Sequence, residues 1–517
     1  MIPRRVVVLD VVAIAGLLGA ALLLRLPNLL LVPRLTDETG EVLLGLRIAR
    51  GEVLPLVGVN TYIGALFSYL VAGAFLLYGP HPEVGRLTAL AFGILGVIPT
   101  YLLGRRLGGP GRHGRAVGAI AGLLLAASST DILVTSRIAY SHSLTPFFAT
   151  LGLWLLHRAV TSPSGRSLAL SGAAFGLALQ THLSALAIWP GLGLYLLIRR
   201  RSVGRLWVAW AGVLAIGMVA NIVAYNLLNL GATVDEALLR SGRYGGVAST
   251  GLDDWPRRLA ILLRSLAFSL GGRASEQVEP PAALLDPPVL LACLLVLAGL
   301  ALLARRREWL PPLVAVSAVL AISLLNDRVE PVVVRSRHYA LLLPLGFVLV
   351  AVSIAALHRR LGGLGPGWLA HGVGLVLVAT LVVAPQAALR AYVSDRLARP
   401  EANNLAFLRV DAAIARGSRR ERVYLDGQLA MLRTMSGGRL YGQMRYLLIL
   451  RRQEYEPFDF ARQSLPIGRP GSGSRRIVLS AETVAVAAAR YRLVPLPGEP
   501  GEGAPVRAFR AYARTPE

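Results

Sequence analysis

Apolar residues run in long blocks along this chain, at 6–24, 86–104, 116–131, 143–157, 168–182, 184–198, 206–229, 287–303, 309–325, 338–357 and 368–389. A bilayer's hydrocarbon core is roughly 30 Å thick, so blocks of this length predict about eleven crossings and an all-α polytopic membrane fold. The polar breaks between them are basic: Arg4 and Arg5; Arg105, Arg106, Arg112 and Arg115; Arg158 and Arg166; Arg199, Arg200, Arg201 and Arg205; Arg305, Arg306 and Arg307; Arg359 and Arg360. With that number of crossings every cluster falls on the side of the N-terminus, which the positive-inside rule makes cytoplasmic. The block Tyr62–Tyr78 is also apolar, but a crossing there would carry all the later clusters to the opposite side. It is therefore read as an interfacial or re-entrant helix that follows an amphipathic piece at Val42–Ala49.

This topology divides the chain into a membrane domain, 1–389, and a soluble extracytoplasmic domain, 390–517. Two further outer loops are expected, at 28–85 and 230–286. In the tail, 422–426, 476–479 and 506–512 have strand character, while 404–415 and 483–491 have helical character, so a small α/β unit is expected. Pro466–Ser474 reads as a loop, and no internal repeat of fixed period is present. Met1–Leu24 has a basic start and a long apolar run without a small-residue cleavage site, and is read as an anchor.

Composition agrees with the pattern. Of 517 residues 54% are hydrophobic, and the mean hydropathy of +0.57 leaves too little polar surface for a soluble globule. The net charge of +25 comes from 54 cations, all of them arginine, against 29 acidic residues. Because the arginines gather between apolar blocks and no nucleic-acid motif is present, this charge points to the membrane and away from nucleic acid. A single cysteine, Cys293, excludes an intramolecular disulfide and a cysteine metal cluster.

Against so basic a background, Thr36-Asp37-Glu38 stands out, two adjacent carboxylates just beyond the first apolar block. Either carboxylate could cap a helix beginning near Gly40, or one could act as a general base for an acceptor hydroxyl. Arg86, Arg137, Arg335 and Arg337 stand at the outer ends of crossings, where an arginine meets lipid phosphate or a bound anion. His142 and His182 also stand at outer ends and are read as packed or headgroup-facing residues before metal ligands. Asp131, after Ser128-Ser129-Thr130, and Asp253-Asp254 read as helix caps.

Several of these residues together resemble the polyprenyl-phosphate-dependent GT-C glycosyltransferases of the protein O-mannosyltransferase and lipid A aminoarabinose transferase type. The resemblance runs through Arg25-Leu26-Pro27-Asn28-Leu29, Thr36-Asp37-Glu38, Gly85 to Leu90, Leu103 to Leu107, Ser136-Arg137-Ile138-Ala139, Gly172 to Thr181, and Arg337-His338-Tyr339 with Pro344. It covers roughly residues 1–390 and departs from the family in three places. Members often carry a Lys-Pro or His-Pro step near Asn60-Thr61, an acid where His142 stands and a lysine where His182 stands. The tail has no family motif.

The resemblance implies a bacterial cell-envelope enzyme with a cytoplasmic N-terminus and juxtamembrane helices in its first outer loop. It implies transfer of a sugar from a polyprenyl-phosphate carrier to a hydroxyl of a protein, glycolipid or polysaccharide, with inversion. Asp37 is then the base and Glu38 its support, with Arg86, Arg137 and Arg337 as donor phosphate ligands. His142, His182 and Tyr339 are further substrate contacts. No metal motif is present, and a divalent ion at Asp37 stays open. The alternatives are a lipid or polysaccharide transporter or flippase, and an inactive family member with a scaffold role.

Overall fold

A computed structural model describes residues 4–32, 36–233, 254–273, 281–325, 336–399, 404–417, 421–430, 440–460, 462–467, 474–501 and 504–513. The expected cap at Asp253, the arginine at Arg335 and the stretches 234–253 and 274–280 of the outer loop at 230–286 lie outside the described residues. In chain order the first helices are α1 (Arg4–Arg25), α2 (Thr36–Ala49), α3 (Leu66–Tyr78), α4 (Val84–Leu95), α5 (Val97–Leu107), α6 (Gly111–Ala127) and α7 (Ser129–Thr135). These are followed by α8 (Thr145–Thr161), α9 (Gly165–Thr181), α10 (Trp189–Ile198), α11 (Arg205–Met218) and α12 (Ala220–Leu228). Further helices span Trp255–Gly271, Pro287–Arg305, Leu310–Leu325, Leu343–Leu364 and Gly367–Ala398.

Two compact units emerge. One holds 1–27, 54–67 and 87–392; the other holds 28–53, 68–86 and 393–517. In the first unit, Leu343–Leu364 is the central helix, and 94% of the most apolar 18-residue window in the span Ala340–Leu364 is buried. Its Leu343, Phe347, Val350 and Ile354 join Leu17 and Ala21 of α1, Val97 and Tyr101 of α5, and Leu124 and Leu125 of α6 in one apolar core. The helix Gly367–Ala398 has a window hydropathy of 2.0 and only 17% of it is buried, and Val8–Arg25 has 2.1 with 22%. Apolar faces left open on this scale need a hydrocarbon solvent, so this is a multi-pass membrane protein.

Among the described residues five helices are long and apolar enough to cross, or up to seven if each bent pair is one span. The bent pairs are α6 with α7, at 64°, and α11 with α12, at 58°. The apolar block at 62–78 yields α3, which has only 13 residues and extends about 20 Å at the α-helical rise, short of the hydrocarbon thickness. Close helix packing rests on glycine at α9 and α11. A Cβ on Gly172 would overlap the Ala211 carbonyl, and one on Gly176 would come within 2.5 Å of the Ala215 carbonyl oxygen.

The second unit contains α2, most of α3 and the tail from 393. Its five-stranded mixed sheet has the order β2-β1-β3-β5-β4. The strands are β1 (Val423–Asp426), β2 (Tyr455–Phe458), β3 (Ser474–Ser480), β4 (Tyr491–Pro495) and β5 (Val506–Ala513). Strand β1 runs parallel to β2 and β3, while β5 runs antiparallel to β3 and β4, with Ile477 opposite Phe509. Helices Leu405–Ala415, Leu440–Leu450 and Val484–Arg490 complete the tail. Expectation missed β2, β4 and Leu440–Leu450, because the two strands are short and carry Glu, Arg and Pro where an alternating apolar pattern would be sought.

The boundary expected at 389/390 lies close to the Tyr392/Val393 division, but the tail's unit also takes in the first-loop pieces 28–53 and 68–86. Backbone and side-chain bonds join them: Asn404 N–H donates to the Leu31 carbonyl at 2.9 Å, Arg50 Nη2 to the Ile449 carbonyl at 3.2 Å, and Tyr446 hydroxyl to the Pro82 carbonyl at 3.4 Å.

Candidate active site

The acid pair sits inside a helix. Helix α2 begins at Thr36, so Asp37 and Glu38 occupy its first turn, and neither caps a helix starting near Gly40. Glu38 is 1% exposed and pairs with Arg86, also 1% exposed, from the first turn of α4. Arg86 Nε donates to Glu38 Oε1 at 2.7 Å and Nη2 to Oε2 at 3.1 Å, a side-on, two-point geometry. Arg86 Nη1 donates to the Leu29 carbonyl at 2.8 Å. Each nitrogen of this guanidinium is thus engaged within the protein. Arg86, expected from the sequence as a donor phosphate ligand, ties the first turn of α2 to the segment at Leu29.

Helix α2 is further fixed against α3. Ser68 Oγ donates to the Glu41 carbonyl at 3.1 Å, and at the crossing a Cβ on Gly45 would come within 2.8 Å of Val71 Cγ1 and 2.9 Å of the Ser68 carbonyl. Only glycine fits there. The first turn that carries Asp37 is therefore set on a braced element.

A second group of candidates gathers in the other unit, around the ends of α7, α8 and α9. Arg25 closes α1, fully buried, with Nη2 at 2.7 Å from Asp131 Oδ2 and 2.8 Å from the Leu125 carbonyl, and Nη1 at 2.9 Å from Thr135 Oγ1. Asp131 is thus the counter-ion of Arg25. The cap of α7 is Ser128, whose Oγ accepts from Asp131 N–H at 3.3 Å. Arg137 Nη2 donates to the Pro27 carbonyl at 3.0 Å, so the Ser136-Arg137 step is tied to the same end of α1.

Three histidines come together in this unit, His142 after α7, His182 after α9 and His338 before the helix Leu343–Leu364. His142 is in the 3-10 turn Ser141–Leu144, and His182 caps the 3-10 turn Leu183–Ile188, accepting from Ser184 N–H through Nδ1 at 3.0 Å. The His142 and His182 rings lie 3.6 Å apart, and that of His338 lies 5.7 Å from the first and 5.6 Å from the second. Tyr62 packs edge-on to His182 at 6.1 Å. Arg337 lies 5.5 Å over the Tyr140 ring, which is itself 5.0 Å from His142, so this arginine belongs to the same cluster.

Tyr339, the third expected substrate contact, is fully buried. Its hydroxyl meets Ser336 Oγ at 2.8 Å and Ser269 Oγ at 3.2 Å, which makes it a fastener between the Arg337 segment and the helix Trp255–Gly271. His338, its neighbour in the chain, joins the histidine cluster. Its signal in the sequence was its place inside the Arg337-His338-Tyr339 motif, but nothing in the spacing joins it to His142 and His182. His142 and His182, read from the sequence as packed or headgroup-facing residues, are both buried and stand together with His338 as a trio.

Residues 64–225 match the model of the dolichyl-phosphate-mannose-protein mannosyltransferase family. No curated protein matches by sequence. The fold is similar to that of ArnT from Cupriavidus metallidurans bound to undecaprenyl phosphate, with a TM-score of 0.54 and 13% identity over 98% of this chain and 97% of that one. The apo state of the same protein gives 0.55 and 14% over the same shares. The oligosaccharyltransferase of Archaeoglobus fulgidus, tethered to an acceptor peptide, gives 0.52 and 13% over 98% of this chain and 74% of that one. The chain thus has the GT-C glycosyltransferase fold, with its segment 64–225 matching the dolichyl-phosphate-mannose-protein mannosyltransferase family.

Proposed function

We propose that this protein is an integral-membrane glycosyltransferase that moves a sugar from a polyprenyl-phosphate carrier to an acceptor hydroxyl on the extracytoplasmic face. The observation that carries this reading is the match of 64–225 to the dolichyl-phosphate-mannose-protein mannosyltransferase family, set in a fold shared end to end with a protein crystallised with undecaprenyl phosphate. In the reaction the acceptor oxygen attacks the anomeric carbon, the bond from that carbon to the phosphate oxygen breaks, and polyprenyl phosphate leaves. The hydroxyl proton passes to Asp37. Because Glu38 is bound to Arg86, Asp37 is the member of the pair assigned as base, and the configuration inverts in a single displacement. Arg337, with Arg137 at the Pro27 turn, stabilises the phosphate as its charge develops.

The test uses the full chain in lipid nanodiscs with labelled polyprenyl-phosphate sugars and hydroxyl acceptors. Transfer from at least one carrier, with an inverted anomeric centre by NMR, is the expected result. Absence of transfer from every polyprenyl-phosphate sugar, with carrier binding also absent, would overturn the donor assignment. A retained configuration would overturn the single displacement.

A further inference from the structure

We infer that His142, His182 and His338 form a binding site for a zinc-class divalent transition-metal ion. One nitrogen from each lies within 4.8 Å of the others, and all three residues are buried. Neither ring nitrogen of His142 has a hydrogen-bond partner among the described residues, although the residue is only 5% exposed. Buried polar atoms without a partner are rare in folded proteins, and an ion is one of the few things that satisfies an imidazole lone pair in such a place.

The donor set selects the ion. Three imidazoles without a carboxylate suit zinc, copper, iron or nickel and are poor ligands for magnesium or calcium, which require oxygen. Zinc–nitrogen bonds of roughly 2.0–2.1 Å place tetrahedral nitrogens about 3.4 Å apart, so side-chain rotations on the order of 1 Å would close the trio on an ion. His182 would exchange its bond from Ser184 N–H for a metal bond. One neutral hydrogen bond is a small loss beside the stability of a zinc site.

Three protein ligands leave a fourth position open, the arrangement of sites that bind a reacting group. A divalent ion close to the Arg337 guanidinium needs an anion between them. That anion is a phosphate oxygen of the donor, a point that rests on the proposed function, whereas the ion site itself does not. The sugar carrier would then meet a metal and an arginine where relatives of the resembled family often place an acid and a lysine.

The experiment separates the two parts. Protein purified without a histidine tag is stripped with chelator, then titrated with Zn²⁺ and with Co²⁺ in the absence of any donor. One ion per chain by mass spectrometry, with intense visible d–d bands for tetrahedral Co²⁺, is expected, along with a higher melting temperature on adding Zn²⁺. His182→Gln and His338→Gln should each weaken uptake by more than about 100-fold. If the stripped wild-type chain takes up no ion near one equivalent, or a variant with all three histidines changed to Gln binds it equally well, the site is overturned. Should the variants fail to fold, the wild-type cobalt spectrum and stoichiometry decide. Carrier binding is then measured separately on loaded and stripped protein: ion uptake with no effect on carrier binding removes the phosphate contact and leaves the metal site standing.

Discussion

The pair Glu38–Arg86 shows how much one ion pair can determine. Both side chains are nearly inaccessible, and each leaves the other as an uncompensated buried charge if it is removed. Replacing Glu38 with Gln should therefore destabilise the chain by about 3–5 kcal/mol, and Arg86→Gln by a similar amount. The double variant should be less destabilised than the sum of the two, by about 0.5–3 kcal/mol. Thermal melts of the four proteins in detergent measure this coupling; strictly additive losses would mean that the pair does not act as a unit. The pair also explains why residue-level reading stopped short. Two adjacent carboxylates were visible in the sequence, but that Arg86 holds Glu38 depends on folding across a sequence separation of 48.

Helices were the most legible elements, because a bilayer admits only long apolar runs and the lipid-facing sides of Val8–Arg25 and Gly367–Ala398 cannot be disguised by polar residues. The histidine trio was not legible, since its members come from three separate turns and share no spacing. At the scale of elements, Gly45 is the point at which α2 meets α3, and Gly45→Val should force the two apart. The expected cost is about 1–3 kcal/mol with a fall in transfer rate that exceeds any fall in carrier binding, measured by melting and by single-turnover assay. A second element contact responds to pH. Glu308 follows the helix Pro287–Arg305 and meets His157 Nε2 of α8 at 3.2 Å, which, with help from Arg199 and Arg306, holds its carboxyl below the ordinary value of 4.5. A depressed folded-state value means that this contact stabilises above about pH 4.5 and is lost as the pH falls through the lower folded value. The melting temperatures of wild type and Glu308→Gln should differ at pH 6 and draw together as the pH falls below 4.5; a constant gap would refute the linkage.

At the scale of the whole molecule, the tail is bound up with the acid pair's own surroundings. Pieces 28–53 and 68–86 share a compact unit with 393–517, joined by bonds from Asn404, Arg50 and Tyr446. Deleting 393–517 should therefore release α2 to limited proteolysis and abolish transfer, whereas a truncated chain that resists protease at 36–49 and keeps its rate would mean that the tail is an independent appendage. The account as a whole depends on the carboxylate at the start of α2. Its most direct test compares wild type with Asp37→Asn in single-turnover transfer from a labelled polyprenyl-phosphate sugar, with carrier binding measured on the same samples. Transfer should fall by about 10²–10⁴-fold while carrier binding stays within twofold. Transfer at the wild-type rate by Asp37→Asn would contradict the assignment of the base and, with it, the proposed mechanism.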